Sequence, residues 1–296
     1  MKTMVFLVGW CALLAAPGAP AAWAQQRIDR RIPLAADASI RIHNMMPGSV
    51  RVSGWDRDTL AVTGTAAPGG FFMGGSGRAA KLGVEGEDLG GSTVASHLEV
   101  RVPRRSRVWI KTASANIHVA DVTGGLDLYS VSGGVQVTGE VGEVYAESMD
   151  GNVDIAAGTR WVRVKTAAGQ ITLKVGQGDL AASTVSGNIV VGSARLDRAR
   201  LESVTGDIRY DGDFDRGGTF TFETHGGKVE LTLPAAVAAS FDLSTHHGRI
   251  VNELTRAPTH TARDGIGKIS SFDAGPGGAD VTVRSFKGDV VVRRKQ

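Results

Sequence analysis

The fold class predicted by this sequence is all-β: a parallel β-helix or β-solenoid with coils of 18 to 21 residues. Three observations predict it. A glycine recurs at a near-constant interval, β-branched residues alternate at fixed offsets from it, and a hydroxyl residue always stands three positions before it. An internal period of this length marks a stacked repeat, in which one unit cannot bury its own apolar face and neighbouring units bury it jointly.

The period reads as follows. Ala115, Gly133, Gly151, Gly169 and Gly187 are 18 residues apart, Gly206, Gly227 and Gly248 follow at steps of 19, 21 and 21, and Gly288 follows after 40. Two residues after each stand Ile117, Val135, Val153, Ile171, Ile189, Ile208, Val229, Ile250 and Val290. Upstream, pairs such as Leu126 and Leu128 or Val162 and Val164 alternate with polar Tyr129 and Lys165. That is the two-residue period of a strand with one buried face. Each unit is therefore strand, corner, strand, turn, and is too short for a crossover helix. An antiparallel β-sandwich of hairpins is the alternative built from the same strands. Equal spacing of every inward position favours the solenoid.

The corner glycines Gly133, Gly151, Gly169, Gly187, Gly206, Gly227, Gly248 and Gly288 suit a backbone with positive φ. Thr112, Ser130, Ser148, Thr166, Thr184, Ser203, Thr224, Thr245 and Ser285 precede the slot with inward parity. A buried hydroxyl needs a partner, and at a turn the freed backbone groups supply it. No base recurs beside these hydroxyls, so they read as a structural ladder rather than as nucleophiles.

Taken in chain order, residues 1–24 read as a secretory signal peptide. Lys2 is followed by an apolar run from Met4 to Ala16, a Pro17-Gly18 break and the small-x-small site Ala22-Trp23-Ala24. The run is too short to span a bilayer, which needs about 20 residues, and no transmembrane segment is expected in the mature chain. Residues 25–39 form an N-terminal lead-in, and 40–296 a single solenoid domain with insertions at about 66–94 and 253–279. The first insertion is glycine-rich, carries Phe71 and Phe72, and reads as a loop of low core content. Insertions in repeat arrays gather on one face and often carry binding.

Composition narrows function. The 33 basic and 30 acidic residues leave a net charge of +3, too balanced to imply nucleic acid. Cys11, inside the leader, is the only cysteine, which removes disulfides, thiol catalysis and cysteine metal sites from the exported chain. No catalytic residue and no cofactor is indicated. Two constellations are candidate metal sites. His225 and His246 share one repeat position, and in adjacent coils would sit one strand spacing, ~4.8 Å, apart, with His247 beside them. Asp211, Asp213 and Asp215 offer alternating carboxylates of the kind that bind calcium, without the glycine and glutamate spacing of an EF-hand. The plainer readings are a surface turn ladder and a solvated inter-coil loop. The basic clusters Arg104, Arg105, Arg107 and Arg293, Arg294, Lys295 read as charges that block end-to-end stacking.

The run GSVRVSGWDRDTLAVTG (48–64), then LEVRVPRRSRVWIKTASANIHV, then the recurring SVSGGVQV, TVSGNIVV and SVTGDIRY resembles the exported bacterial "putative adhesin" family over roughly Ile40 to Val292. The resemblance implies a cell-envelope or secreted β-strand-repeat protein without a catalytic motif, in a family some of whose members are linked to envelope-stress sensing. The combined expectation is an exported, non-enzymatic binding or scaffold module of a bacterial periplasm or surface, with an envelope protein or glycan as partner. The alternatives are a carbohydrate-active β-helix enzyme and a metal-responsive stress sensor.

Overall fold

A computed structural model describes residues 25–85, 94–263 and 265–295, with the side chains of 193 and 194 left aside. The expected leader, with Cys11, lies outside the described residues, as do 86–93 of the first insertion. All regular structure among the described residues is strand.

The first seven strands are β1 (Gln26–Pro33), β2 (Ser39–Asn44), β3 (Gly48–Trp55), β4 (Thr59–Ala66), β5 (Phe71–Ser76), β6 (Ala79–Val84) and β7 (Ser96–Pro103). The uniform repeat runs through β8 (Arg107–Thr112), β9 (Asn116–Ala120), β10 (Gly125–Ser130), β11 (Val135–Glu140), β12 (Glu143–Ser148), β13 (Val153–Gly158), β14 (Trp161–Thr166), β15 (Ile171–Val175) and β16 (Asp179–Thr184). Two long strands, β17 (Ile189–Ser203) and β18 (Ile208–Thr224), each turn from one sheet into the other. The last are β19 (Val229–Leu233), β20 (Ala239–Thr245), β21 (Ile250–Asn252), β22 (His260–Thr261), β23 (Lys268–Ala274), β24 (Ala279–Ser285) and β25 (Val290–Arg294).

Pairing is parallel and in register with the sequence period: Leu126 lies beside Val144, Val144 beside Val162, and Val162 beside Leu180. The second sheet repeats this, with Val135 beside Val153 and Val153 beside Ile171. The fold is thus a two-sheet parallel β-solenoid. Equivalent inward residues of both sheets are buried and meet in one aliphatic column. Towards the C-terminal end the column widens around Tyr210, Phe214, Phe220, Phe222 and Phe241. Longer coils make room for these rings, and β17 and β18 absorb the extra residues in two register shifts. The buried Tyr210 hydroxyl donates to the Asp213 carbonyl at 2.7 Å, which satisfies the one polar atom this ring brings inside.

Both ends depart from chain order. At the C-terminal end, β24 lies between β18 and β20, and β25 between β19 and β21. The last segment of the chain is therefore intercalated, and the coil of β20 and β21 is outermost. At the other end, β2 lies between β6 and β8, and β3 between β7 and β9. The exposed edges are then covered by antiparallel strands, which blunt a surface that otherwise recruits other chains. β5 pairs with β6, β4 with β7, β1 with β4, and β23 with β20.

Three expectations are corrected here. Much of the first insertion is strand: Ala80, Leu82 and Val84 are buried, because their alternation supplies a coil face despite the surrounding glycines. The corner glycines are not among the residues with positive φ. They are small for another reason. A Cβ on Gly169 would overlap the Gly151 carbonyl oxygen, one on Gly288 that of Gly227, and one on Gly248 that of Gly288. From Gly133 onward the corners stack too closely for a side chain, whereas the first corner holds Ala115. Finally, Arg293, Arg294 and Lys295 are not at an end. Arg293 and Arg294 end the intercalated β25 and Lys295 follows it; Arg293 pairs with Glu230, and Lys295 with Asp211 at 2.9 Å.

Candidate functional site

Each corner is built from three residues. The inward hydroxyl accepts from the glycine N–H three residues on: Ser148 from Gly151 at 3.0 Å, Ser203 from Gly206 at 2.9 Å, and Ser285 from Gly288 at 2.8 Å. After the glycine, an amide or carboxylate reaches the next coil. Asn152 Oδ1 accepts from Gln170 N and Asn188 Oδ1 from Asp207 N, both at 2.9 Å. Of the two residues between hydroxyl and glycine, the first points outward, and its backbone N–H is held by the neighbouring coil, as Val131 N is by Thr112 O.

That outward position forms a ridge. Met45, Val131, Met149, Val185, Val204 and Phe286 are exposed large apolar side chains, all at this one repeat position. Singly exposed apolar residues are ordinary, whereas a row such as this one, in which only Ala113, Ala167 and His225 stand between the large side chains, marks an interaction surface. His225 and His246 occupy the same row. The intercalated coil corrects their expected adjacency: Phe286 sits between them, its ring stacked 4.7 Å from His225 and 4.9 Å from His246. His247 meets His246 and Phe286 edge-on. Among the described residues no group of three or more His, Cys, Asp or Glu side chains is arranged to hold a metal ion. The aspartates of β18 are drawn into ion pairs instead, Asp215 with Arg195 at 3.5 Å and Asp211 with Lys295.

At its C-terminal end the ridge borders an open groove of about 780 Å³. One wall is Val204, His225 and Phe286, and the other is the β22–β23 segment with Lys268 and Ile269. The floor is the outer face of the sheet, where Glu202, Glu223 and Arg284 follow one another across neighbouring coils. Arg284 pairs with Glu223 at 3.3 Å, and Arg200 pairs with Glu202. The groove thus combines an apolar ring stack with charged groups of both signs, the make-up of a recognition site.

The same outer face carries a second line nearer the N-terminus. His43, Trp109, Tyr129 and Tyr145 form a tilted ring ladder with centroids 4.8, 5.7 and 5.6 Å apart. The Tyr145 hydroxyl donates to Glu147 at 2.7 Å, and this bond, with partial burial, pushes its pKa up to about 12. Burial, with Lys81 nearby, lowers that of His43. No reading of the sequence singled out either the ridge or this ladder. The ridge was signalled by Val131, Met149, Val185 and Val204 standing where a solvated turn favours polar residues.

Among solved structures, a putative adhesin from Parabacteroides merdae ATCC 43184 aligns at 11% identity with a TM-score of 0.51, covering 92% of this chain and 97% of that one. A putative adhesin from Bacteroides fragilis NCTC 9343 aligns at 13% identity with a TM-score of 0.50, covering 92% and 99%. At these identities the likeness is one of fold. No curated protein matches the chain. No helix among the described residues is long and apolar enough to cross a membrane. Residues 35–293 match the sequence pattern of the family described as Toastrack DUF4097, a family of unknown function, and the chain belongs to that family.

Proposed function

We propose that the protein is an exported, non-enzymatic binding or scaffold module of the bacterial cell envelope, and that it engages an envelope protein or glycan along the ridge and in the groove where the ridge ends. The observation that carries this reading is the exposed apolar row from Met45 to Phe286, locked coil by coil to the backbone and running into an open groove. The signal-peptide pattern of residues 1–24 supports export. Co-sedimentation of the purified protein with isolated bacterial envelope fragments tests binding. The wild type is expected to sediment with them. The double variant Val204→Asp, Phe286→Asp is expected to remain in solution, and Asp154→Lys, on the other sheet, to behave as wild type. Equal sedimentation of wild type and double variant overturns the reading. Digesting the fragments first with protease or with polysaccharide hydrolase separates a protein partner from a glycan. Fractionation of producing cells tests export, which fails if the protein stays in the cytoplasm.

A carbohydrate-active enzyme is the second reading, and one observation favours it. Glu202 and Glu223 are register partners on adjacent coils at the groove floor, and strand spacing approaches the roughly 5–5.5 Å carboxyl separation of retaining glycosidases. Both carboxylates are engaged by arginines. Release of reducing sugar from envelope polysaccharides, abolished by Glu202→Gln and by Glu223→Gln, would establish it over the binding reading.

A further inference from the structure

We infer that the outer face of the sheet holds a second binding site, a notch between Arg163 and Arg200 that takes the carboxylate of an acidic polysaccharide. The notch follows from register. Arg163, Ala181 and Arg200 lie side by side on three consecutive strands. Ala181 is the short residue between two long ones, and the gap it leaves opens into a cavity of about 250 Å³. Two strand spacings, roughly 9.6 Å, separate the walls at the backbone. Across that span two flexible guanidinium groups can converge on one carboxylate at roughly 2.8 Å each.

The charge around the notch is unbalanced. Trp161, Asp179 and Arg198 line its second side. Asp179 is 3.9 Å from Arg198, and Glu202 pairs with Arg200. That leaves Arg163, whose guanidinium lies over the Trp161 ring, 5.2 Å from its centroid, without an ion pair among the described residues. One arginine is thus uncompensated, held in place by a cation–π contact, and the match is a monoanionic oxyanion.

The surroundings say what bears that anion. Arg163 continues the line of the ring ladder, since it is the register neighbour of Tyr145, beyond which lie Tyr129 and Trp109. These rings are half-buried and lie within the face. They offer apolar edges to an extended chain resting along the solenoid. A polymer of acidic sugars meets both features, with ring faces along the ladder and a carboxylate in the notch. The inference stands on this face alone and does not depend on the groove or on export.

Titration calorimetry on the purified full chain tests it, with polygalacturonate as the probe, neutral dextran as its uncharged counterpart and phosphatidylglycerol vesicles as the anionic membrane. Polygalacturonate is expected to bind and dextran not to bind. Arg163→Gln and Arg200→Gln are each expected to weaken binding roughly tenfold, the scale of one lost charge-assisted fork. Arg163→Lys, which keeps the charge but not the fork, is expected to weaken it as well. Glu202→Gln releases Arg200 and is expected to tighten binding, a result that generic charge attraction shares only if Asp154→Asn, on the other sheet, does the same. Lys174→Gln, on the other sheet, is expected to change nothing. Lack of binding to polygalacturonate, equal effects of Lys174→Gln and Arg163→Gln, equal tightening by Asp154→Asn, or vesicle binding that shares the Arg163 and Arg200 dependence would each overturn the proposal.

Discussion

At the residue scale, the repeat is held by backbone proximity rather than by unusual torsion. The Gly169 Cα faces the Gly151 carbonyl with no room for a methyl group, so Gly169→Ala must push two corners apart. Overpacking of this kind costs roughly 1–3 kcal/mol, and a guanidinium melt that shows no loss would refute the close-stacking account. Ser148→Ala removes the acceptor of the Gly151 N–H in a buried corner and is expected to cost about 1 kcal/mol. The tyrosines make a pH prediction. The chain has three, and the pKa of each is raised above the usual 10: Tyr145 by its bond to Glu147, Tyr129 and Tyr210 chiefly by burial. A raised folded value means stability that is intact below the unfolded pKa and lost as pH climbs through the folded one. Denaturant melts are therefore expected to hold level up to pH 10 and then fall towards pH 12, while tyrosinate absorbance lags behind that of the unfolded chain. On the acid side, the Arg249 side chain and backbone hold the Asp289 carboxyl below its usual range. Its contribution is present above the ordinary carboxylate pKa and disappears as pH falls through the lowered one.

At the scale of elements, the alternation that predicted strands also fixed their faces, because shifting the register by one residue would expose the whole column. Leu173→Ala in the uniform coils should cost roughly 2–5 kcal/mol, the range for an emptied aliphatic site. The strand types were legible because each position is repeated: β-branched residues two after the glycine, hydroxyls three before it. The order of the coils was not. The Gly248 and Gly288 units carry the same residue types, and either satisfies the edge of β18, so the pattern is silent on which one docks there. Here the pairing of β24 with both β18 and β20 decides, and it separates His225 from His246. β6 was hidden for a different reason, since the glycines around Ala80, Leu82 and Val84 mimic a loop. Intercalation also predicts how truncation acts. A chain ending at 278 loses a strand from between two others in each sheet, so residues 219–274 should become sensitive to protease while β8 to β16 stay protected. Uniform protection would contradict the pairing.

For the whole molecule, stability should behave as a sum over neighbouring coils, since each coil pairs only with the coils stacked against it. Deleting residues 134–151 removes one 18-residue period and restores a glycine–asparagine corner, Gly133 followed by Asn152. The shortened chain is expected to melt in a single transition, and small-angle scattering should find it shorter by about 4.8 Å. A collapsed or aggregated product would mean that the coils are not equivalent. The surface divides along the same axis, with apolar side chains at one corner, rings and arginines on one flat face, and ion pairs such as Arg51 with Glu99 scattered over the other. Chemistry on this exterior repeats with the coil, so any long ligand is met at several heights at once.

The intercalated β24 and β25 also decide how the rod answers force. A tether attached beyond Arg294 draws on strands gripped on both sides rather than on a loose outermost turn. Tension along those strands must shear two rows of hydrogen bonds together instead of peeling one, so the load enters the stack from within and the exposed final coil is spared.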